Sequence, residues 1–163
     1  METKNKLLIG GGIFLTALLI KKNMTINKSA LDIIKESEGF SNKAYKDSTG
    51  ILTIGYGTTA NVKPDDVITK QQAENFLIRD AKTFGDIINK NVKRKLTKNQ
   101  FSALLSLVYN IGGGAFQKST LLKKLNAGAT VDELRPHWLA WRNAGGKPIL
   151  LSRRQKEFDI FTS

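Results

Sequence analysis

The chain has 163 residues with no cysteine and one histidine, and its 26 Lys and Arg outnumber its 14 Asp and Glu. This length fits a single ordinary domain, while the lack of cysteine excludes disulfides, thiol nucleophiles and thiolate metal sites. A formal net charge of +12 attracts polyanions, so nucleic acid, anionic lipid and bacterial cell wall are candidate partners, and charge alone favours nucleic acid. The lone His137 excludes a histidine-rich metal site, and we expect it to have a structural role in a helix.

The first 23 residues differ in character from the rest of the chain. Residues 7–20, which begin with Leu7 and end with Ile20, carry no charge, and lysines flank both ends of the run. The run is shorter than the roughly 20 residues of a spanning helix, but flanking lysines extend its reach. No small-residue cleavage motif follows it, and it lacks the polar positions of a core helix. We therefore expect an uncleaved transmembrane helix within residues 1–23 and a separate domain at 24–163. The lysines after the run outnumber those before it, which, counted literally, would place that domain in the cytoplasm.

The domain that follows is mostly helical, with one hairpin near its start. Ser29 can cap a helix that ends at Glu38, where Gly39 suits a helix stop. Residues 44–58 contain two short apolar runs around a polar turn, the pattern of a β-hairpin. Helical periodicity returns at residues 69–91, 97–109, 120–125, 131–142 and 152–161, with glycine-rich loops at 112–114 and 145–146. The pattern predicts a mainly helical α+β domain with a small hairpin lobe and a cleft between the lobes.

Three polar residues are candidates for chemistry near that cleft. Glu38 falls on the apolar face of the first predicted helix, whereas Glu36 points to the opposite side. A carboxyl group on the apolar face is partly desolvated, which favours the protonated form that a general acid needs. Asp47 begins the hairpin turn and Thr53 lies in its second strand. Taken singly, each also has an ordinary interpretation: a frayed helix end, a turn residue and a strand residue.

Together these residues resemble a known family. The pair E-G at 38–39, the spacing to Asp47 and Thr53, and T-I-G-Y-G at 53–57 are similar to the phage lysozymes of glycoside hydrolase family 24. The resemblance continues in F-S-A-L-L-S-L-V-Y-N-I-G at 101–112, G-A-F-Q-K-S-T-L-L at 114–122, W-R-N-A-G-G-K at 141–147 and S-R-R-Q-K-E-F at 152–158. The spaced Glu, Asp and Thr with T-I-G-x-G are the specific part, and the helical strings add moderate support. The resemblance implies a lysozyme-like two-lobed fold.

The resemblance also implies catalytic roles. Glu38 would protonate the glycosidic oxygen between N-acetylmuramic acid and N-acetylglucosamine in peptidoglycan. Asp47 and Thr53 would hold or activate a water that attacks the anomeric carbon from the other face. This inverting scheme needs carboxyl groups separated by about 6.5–9.5 Å, with a water between them. It requires no metal and no organic cofactor.

Other residues are implied by the resemblance to lie around the catalytic set. Arg153 corresponds to the basic residue that lies against the catalytic glutamate, and Tyr109 and Asn110 fall where the family lines its cleft and contacts sugar. One departure concerns Thr58, because family members commonly carry histidine directly after T-I-G-x-G. We expect this replacement to alter stability or pH response more than activity.

The resemblance leaves biological alternatives open. The glycine-bearing apolar run resembles the signal-arrest-release segment of some phage endolysins, which holds the enzyme on the host inner membrane, facing the periplasm, until a soluble form is released for lysis. Alternatively, the protein resides in a virion membrane beside other virion proteins and opens the wall at entry. We expect a monomeric catalytic domain that binds peptidoglycan and no nucleic acid, since lysines and arginines are scattered and no nucleic-acid motif appears. A lytic transglycosylase, or a non-catalytic basic protein that binds wall or nucleic acid, is the competing interpretation.

Overall fold

A computed structural model describes residues 23–47 and 49–163. Most of this part is helical, with one two-stranded sheet near its start. The elements in chain order are α1 Lys28–Glu38, β1 Ser41–Lys46, β2 Leu52–Gly55, α2 Lys70–Asn91, α3 Lys98–Ile111, α4 Gly113–Lys118, α5 Thr120–Asn126, α6 Val131–Leu139, a short 3-10 turn Ala140–Arg142, and α7 Leu151–Thr162. The mainly helical α+β prediction is confirmed. None of the described helices is long and apolar enough to cross a membrane, and the predicted anchor at residues 7–20 lies outside the described residues.

Polar caps set where the helices begin. Thr69 forms a capping box with Gln72 at the start of α2, and Thr97 forms one with Gln100 at the start of α3. In each box the threonine hydroxyl accepts from the amide of the third helical residue, and the glutamine side-chain oxygen accepts from the threonine amide. Two backbone amides that have no partner within the helix are thereby satisfied. In this chain, Thr followed three positions later by Gln therefore marks both helix starts.

The cap of α1 was predicted wrongly. The helix begins at Lys28 and is capped by Asn27, whose side chain accepts from the amide of Ala30 at 2.9 Å, rather than by Ser29. The Asn27 amide also donates to the Ser102 hydroxyl in α3 at 3.2 Å. Asparagine is a strong cap by itself, and this contact to α3 adds a tertiary anchor that local sequence does not reveal. The end of α1 at Gly39, with φ +70°, is as expected.

Helix α4 replaces a predicted loop. Glycines 112–114 favour a loop by composition, yet residues 113–118 form a helix whose Phe116 is fully buried. A Cβ on Gly113 would collide with the Ile87 side chain of α2. Gly113 therefore allows close approach between two helices, and burial of Phe116 supplies stabilisation that helix propensity lacks.

Helix α3 is the centre of the domain. All residues from Phe101 to Val108 are buried, because α3 packs against α1, α2 and α7. A helix that is hydrophobic all round is a core helix. Packing of α1 and α7 on this same helix brings the end of α1, and hence Glu38, beside the first turn of α7. The positions of these two helix ends create the helical side of the site.

The hairpin forms the other side. Strands β1 and β2 are antiparallel, with Tyr45 opposite Thr53 and Ser41 opposite Gly55. The sheet joins the helical part through β2, since Ile54 is buried and a Cβ on Gly55 would lie 3.1 Å from the Ala73 Cβ of α2. The hairpin was predicted within residues 44–58. In the structure its strands begin three residues earlier, at Ser41, and end earlier, at Gly55. The small lobe is thereby held against the N-terminal half of α2.

Candidate active site

Glu38, the last residue of α1, is turned toward the protein interior. Its side chain is 19% exposed, against 71% for Glu36 two positions earlier. This difference confirms the assignment of Glu38 to the apolar face of the helix. The Nη1 atom of Arg153 donates to Glu38 Oε1 at 2.7 Å, and Arg153 is itself only 10% exposed. The predicted contact between Arg153 and the glutamate is therefore present.

The guanidinium of Arg153 is fixed on its other side as well. Its Nε donates to Glu157 Oε1 at 3.0 Å, and its Nη2 donates to the backbone carbonyl of Ser106 at 3.2 Å. Since the guanidinium is planar and its donors point in fixed directions, bonds at three nitrogens determine its orientation. Arg153 thus presents one defined edge to Glu38.

A tight turn that contains Gly57 packs against the second carboxyl oxygen of Glu38, Oε2. Ile54 and Thr58 exchange two backbone hydrogen bonds at 2.9 and 3.0 Å, so the residues between them form a tight turn. Gly57 in this turn has φ +87°, a conformation that favours glycine. A Cβ at Gly57 would lie 3.2 Å from Glu38 Oε2. The second glycine of T-I-G-Y-G is therefore required both by the backbone and by the approach of the carboxyl group.

Tyr109 supports this turn from α3. Its hydroxyl donates to the carbonyl of Tyr56 at 2.8 Å, and its ring packs edge-on against Phe84 with centroids 5.4 Å apart. Burial raises the pKa of Tyr109 well above its ordinary value, and the charges on Asp80 and Glu38 raise it further. The hydroxyl consequently keeps its proton and serves as a permanent donor. The bond fixes the backbone next to Gly57, and the sugar contact of Tyr109 stays a prediction.

Asp47 is organised by its own turn. Its Oδ1 accepts from the Thr49 hydroxyl at 2.7 Å, from the Thr49 amide at 2.8 Å and from the Ile51 amide at 2.9 Å. The Thr49 hydroxyl, followed by these backbone donors, lowers the pKa of Asp47. Asp47 is therefore a carboxylate held in one place, which suits a group that orients or accepts a proton from water.

Thr53 lies on the strand opposite Tyr45. Its side chain is 4% exposed, and its hydroxyl donates to the Ile51 carbonyl at 3.1 Å. Residues directly opposite in an antiparallel pair have their side chains on the same face, so Thr53 and Tyr45 share a face. The pKa of Tyr45 is raised by burial first and then by the charges of Glu38 and Asp47. Tyr45 thus lies within electrostatic reach of both carboxyl groups, and the joint action of Glu38, Asp47 and Thr53 stays a prediction.

Comparisons with known proteins identify the family. Residues 35–157 match the family described as Phage lysozyme. The chain belongs to the phage lysozyme family. It is 43% identical over 146 residues to an endolysin of Acyrthosiphon pisum secondary endosymbiont phage 1, with 86% of this chain and 99% of the relative covered. As a family member, the chain is a glycoside hydrolase of the lysozyme type.

Two further relatives bear on the fold and on the N-terminal segment. The solved muramidase domain of SpmX from Asticaccaulis excentricus superposes with a TM-score of 0.76 at 31% identity, covering 85% of this lysozyme and 98% of that domain. A SAR-endolysin of Enterobacteria phage P21 is 35% identical over 158 residues, which cover 93% of this chain and 89% of the relative. The predicted lysozyme-like fold is thereby confirmed.

Thr58, the position at which the sequence departs from the family resemblance, makes a buried hydrogen bond. The hydroxyl of Thr58, which is 2% exposed, donates to Asp80 Oδ2 at 2.7 Å. Arg79 forms an ion pair with the other oxygen of Asp80 at 2.7 Å. In this lysozyme Asp80 therefore pairs with its chain neighbour Arg79, and Thr58 supplies a neutral donor where histidine would supply a cation below its pKa.

Asn110 is the last of the predicted substrate residues. Its side-chain oxygen accepts from Nη2 of Arg154 at 2.9 Å, so the orientation of the amide is set from within the protein. Sequence reasoning missed Arg154 and also missed Glu157 and Ser106, which contact Arg153. The available signal was the spacing of Glu157 three and four residues after two arginines, which are on one side of a helix. In the described part of the chain, no three His, Asp or Glu side chains form a group that could hold a metal ion.

Proposed function

We propose that this lysozyme is a muramidase that hydrolyses the β-1,4 bond between N-acetylmuramic acid and N-acetylglucosamine in bacterial peptidoglycan, with Glu38 as general acid. The observation that carries the proposal is the asymmetric setting of Glu38. Arg153 binds Oε1, while Oε2 faces the Gly57 turn beside the hairpin. Because Oε1 is engaged by a cation, Oε2 is the oxygen that carries the transferable proton. The similarity to the SpmX muramidase domain supports the same substrate class.

The hairpin supplies the water in this proposal. The Asp47 carboxylate is held by its turn, and Thr53 lies opposite Tyr45, whose pKa is raised by burial and by the charges of Glu38 and Asp47. A water bound between Asp47 and Thr53 would attack the anomeric carbon as Glu38 protonates the leaving oxygen. This is the inverting reaction of glycosidases, in which acid and base act from opposite faces of the sugar. Tyr109 and Asn110 complete the cleft by fixing the Tyr56 backbone and by offering an oriented amide to sugar.

The charge of the chain fits this substrate. Peptidoglycan and its attached polymers are anionic, and a net charge of +12 increases the rate of encounter with them. A basic enzyme therefore needs no nucleic-acid partner to explain its composition, and we expect the domain at residues 24–163 to act as a monomer. Salt should slow wall degradation more than cleavage of a short uncharged glycan, since exposed charges are screened.

The N-terminal segment places the enzyme at a membrane in this proposal. Similarity to the P21 SAR-endolysin covers 93% of this chain, which is more than residues 24–163 make up, so it extends into the first 23 residues. This supports a releasable anchor at residues 7–20 and a role in phage-driven lysis, with an entry enzyme in a virion membrane as the second candidate. Fractionation of cells that express the full chain tests the anchor. Membrane-bound protein with later soluble, active protein is expected, and wholly soluble protein would contradict it.

The central test compares the wild type with Glu38→Gln, both as full chains, on isolated peptidoglycan with mass spectrometry of the products. Wild type is expected to release muropeptides with reducing ends, and Glu38→Gln to lose at least about a thousand-fold in rate, since the amide cannot donate the required proton. Glu36→Gln is the matched control, because Glu36 is exposed on the same helix. Anhydro products would identify a lytic transglycosylase, and equal rates for wild type and Glu38→Gln would contradict the acid assignment.

Asp47→Asn tests the hairpin side separately. We expect a smaller loss than for Glu38→Gln, because Thr53 remains to hold a water while the base is lost. The measurement is the rate of reducing-end release under the same conditions. An Asp47→Asn enzyme with full inverting activity would remove Asp47 from the mechanism.

A further inference from the structure

Four charged side chains, one of them the proposed acid, form a largely buried cluster. Glu38 and Arg153 are 19% and 10% exposed, while Arg154 and Glu157 are 0% and 1% exposed. We call these four residues the α1–α7 charge cluster. Two carboxyl groups and two guanidinium groups give the cluster a formal charge of zero. Buried charges of one sign are costly unless they are paired, so this balance is a constraint on the site.

Glu157 connects the other members. Its Oε1 accepts from Arg153 Nε at 3.0 Å and from the Ser106 hydroxyl at 2.7 Å. Its Oε2 forms an ion pair with Arg154 Nη1 at 3.3 Å. The Glu157 carboxylate therefore pairs with two arginines, Arg153, which donates to Glu38, and Arg154. Within the described part of the chain, the hydrogen bonds and ion pairs of Glu157 and Arg154 join α3 and α7, so we expect their influence on the reaction to be indirect.

Arg154 links the cluster to the cleft. Burial lowers the pKa of Arg154 to about 10, and the charge of Glu157 opposes this effect. The side chain is still a cation at neutral pH. Its Nη2 donates to the Asn110 side-chain oxygen at 2.9 Å, which turns the amide group of Asn110 in one direction. The same cation lies within electrostatic reach of Glu38.

We propose that Glu157 and Arg154 are positioning residues that set the electrostatic balance at Glu38 and the orientation of Asn110. The proposal rests on the proposed function, in that Glu38 must be the general acid. Glu157 offsets one of the two positive charges behind Glu38 and holds the edge of Arg153 that faces it. Arg154 supplies the second positive charge and aims the Asn110 amide at the cleft.

The direction of each effect follows from the charges around Glu38. The charged and titratable groups that face it are Arg153 and Arg154 from α7, Tyr109 from α3 and Tyr45 from β1. The two tyrosines are neutral near pH 7, so the arginines dominate. Removing the charge of Glu157 leaves two cations behind one carboxyl group, which favours the ionised form. Removing the charge of Arg154 has the opposite effect.

The experiment measures the pH dependence of kcat for the full chain on soluble peptidoglycan strands. The descending limb at high pH reports loss of the acid's proton in the enzyme–substrate complex. Glu157→Gln, which preserves size and can still accept from Arg153, is expected to move this limb about one unit to lower pH. Arg154→Gln is expected to move it to higher pH and to raise KM by releasing Asn110. The double variant restores neutrality and should return the limb to within about 0.3 units of wild type.

Controls separate this proposal from the one it rests on. Glu36→Gln removes the same charge from an exposed ion pair with Lys156 and is expected to leave the limb in place, since surface charges are screened. Glu38→Gln that remains active would overturn the acid assignment itself. An inactive Glu38→Gln together with unmoved limbs in Glu157→Gln and Arg154→Gln would overturn only the positioning roles. If Glu157→Gln does not fold, Arg154→Gln alone decides, because the proposal requires its descending limb to move to higher pH.

Discussion

The helical side of the cleft and the hairpin side are held in different ways. Arg153 contacts Glu38 across 115 positions of sequence, and all members of the α1–α7 charge cluster are largely buried. Asp47, by contrast, is held by neighbours two to four positions away, Thr49, Gly50 and Ile51, in an exposed turn. The proposed acid is therefore positioned by the completed core, whereas the proposed water-binding carboxylate is positioned by its own turn. Damage to the first should cost stability and activity together, and damage to the second should cost mainly activity.

The largest effect on stability is expected from Glu157→Ala. This change leaves two buried arginines short of their partner, which costs about 3–5 kcal/mol in the free energy of unfolding. Denaturant unfolding of the full chain measures it. The control is Glu36→Ala, whose exposed ion pair with Lys156 should contribute less than about 1 kcal/mol. Similar losses in the two variants would show that the cluster does not depend on Glu157 for its stability.

Gly57→Ala tests the contact between the two sides. A residue with a Cβ is strained at φ +87° by about 1–2 kcal/mol, and its methyl group would press on Glu38 Oε2 from 3.2 Å. Gly128→Ala is the matched control, since Gly128 has φ +81° and no atom within 4 Å of an added Cβ. We expect similar losses of thermal stability, but at least a ten-fold loss of wall-degrading activity for Gly57→Ala alone. Equal activities would mean that the glycine serves only the backbone.

The smallest effect concerns the acid side of the stability curve. The pKa of Asp47 is lowered in the folded protein by the Thr49 hydroxyl and by backbone amides. Asp47 therefore contributes stability above its unfolded pKa and loses that contribution as the pH falls through its folded pKa. Asp47→Asn should show a smaller fall in melting temperature than wild type between about pH 5 and pH 2. Thr49→Val, which removes the first of these donors, should lie between the two, and an unchanged slope in both variants would contradict the assigned cause.

Local patterns in the sequence predicted most of the fold. Helical periodicity located the helices that begin after Thr69 and Thr97, and two short apolar runs around a polar turn located the hairpin. The failures lie where tertiary contacts override local preference. Asn27 replaces Ser29 as a cap with help from Ser102, and a glycine-rich segment becomes α4 because it packs against Ile87. Such contacts join residues far apart in the chain, so no short window of sequence contains them.

Only some residues of the candidate site could likewise be predicted from the sequence. Helical geometry was enough to separate Glu38 from Glu36, and the family resemblance supplied Arg153. The buried partners Glu157 and Arg154 were missed because acidic and basic residues in a C-terminal helix ordinarily suggest a solvated surface. Only the packing of α7 on α3 shows that these charges face inward. The internal bond of the Tyr109 hydroxyl was likewise beyond sequence, since it depends on the turn that contains Tyr56.

The most direct test of the account is the configuration of the newly formed reducing end. The full chain is mixed with soluble peptidoglycan strands, and proton NMR follows the anomeric signals before mutarotation. An acid at Glu38 and a water held by Asp47 and Thr53 on the opposite face predict that the α-anomer appears first, from a β-linked substrate. First appearance of the β-anomer, or of an anhydro sugar, would contradict the assignment of the hairpin as the side that delivers water.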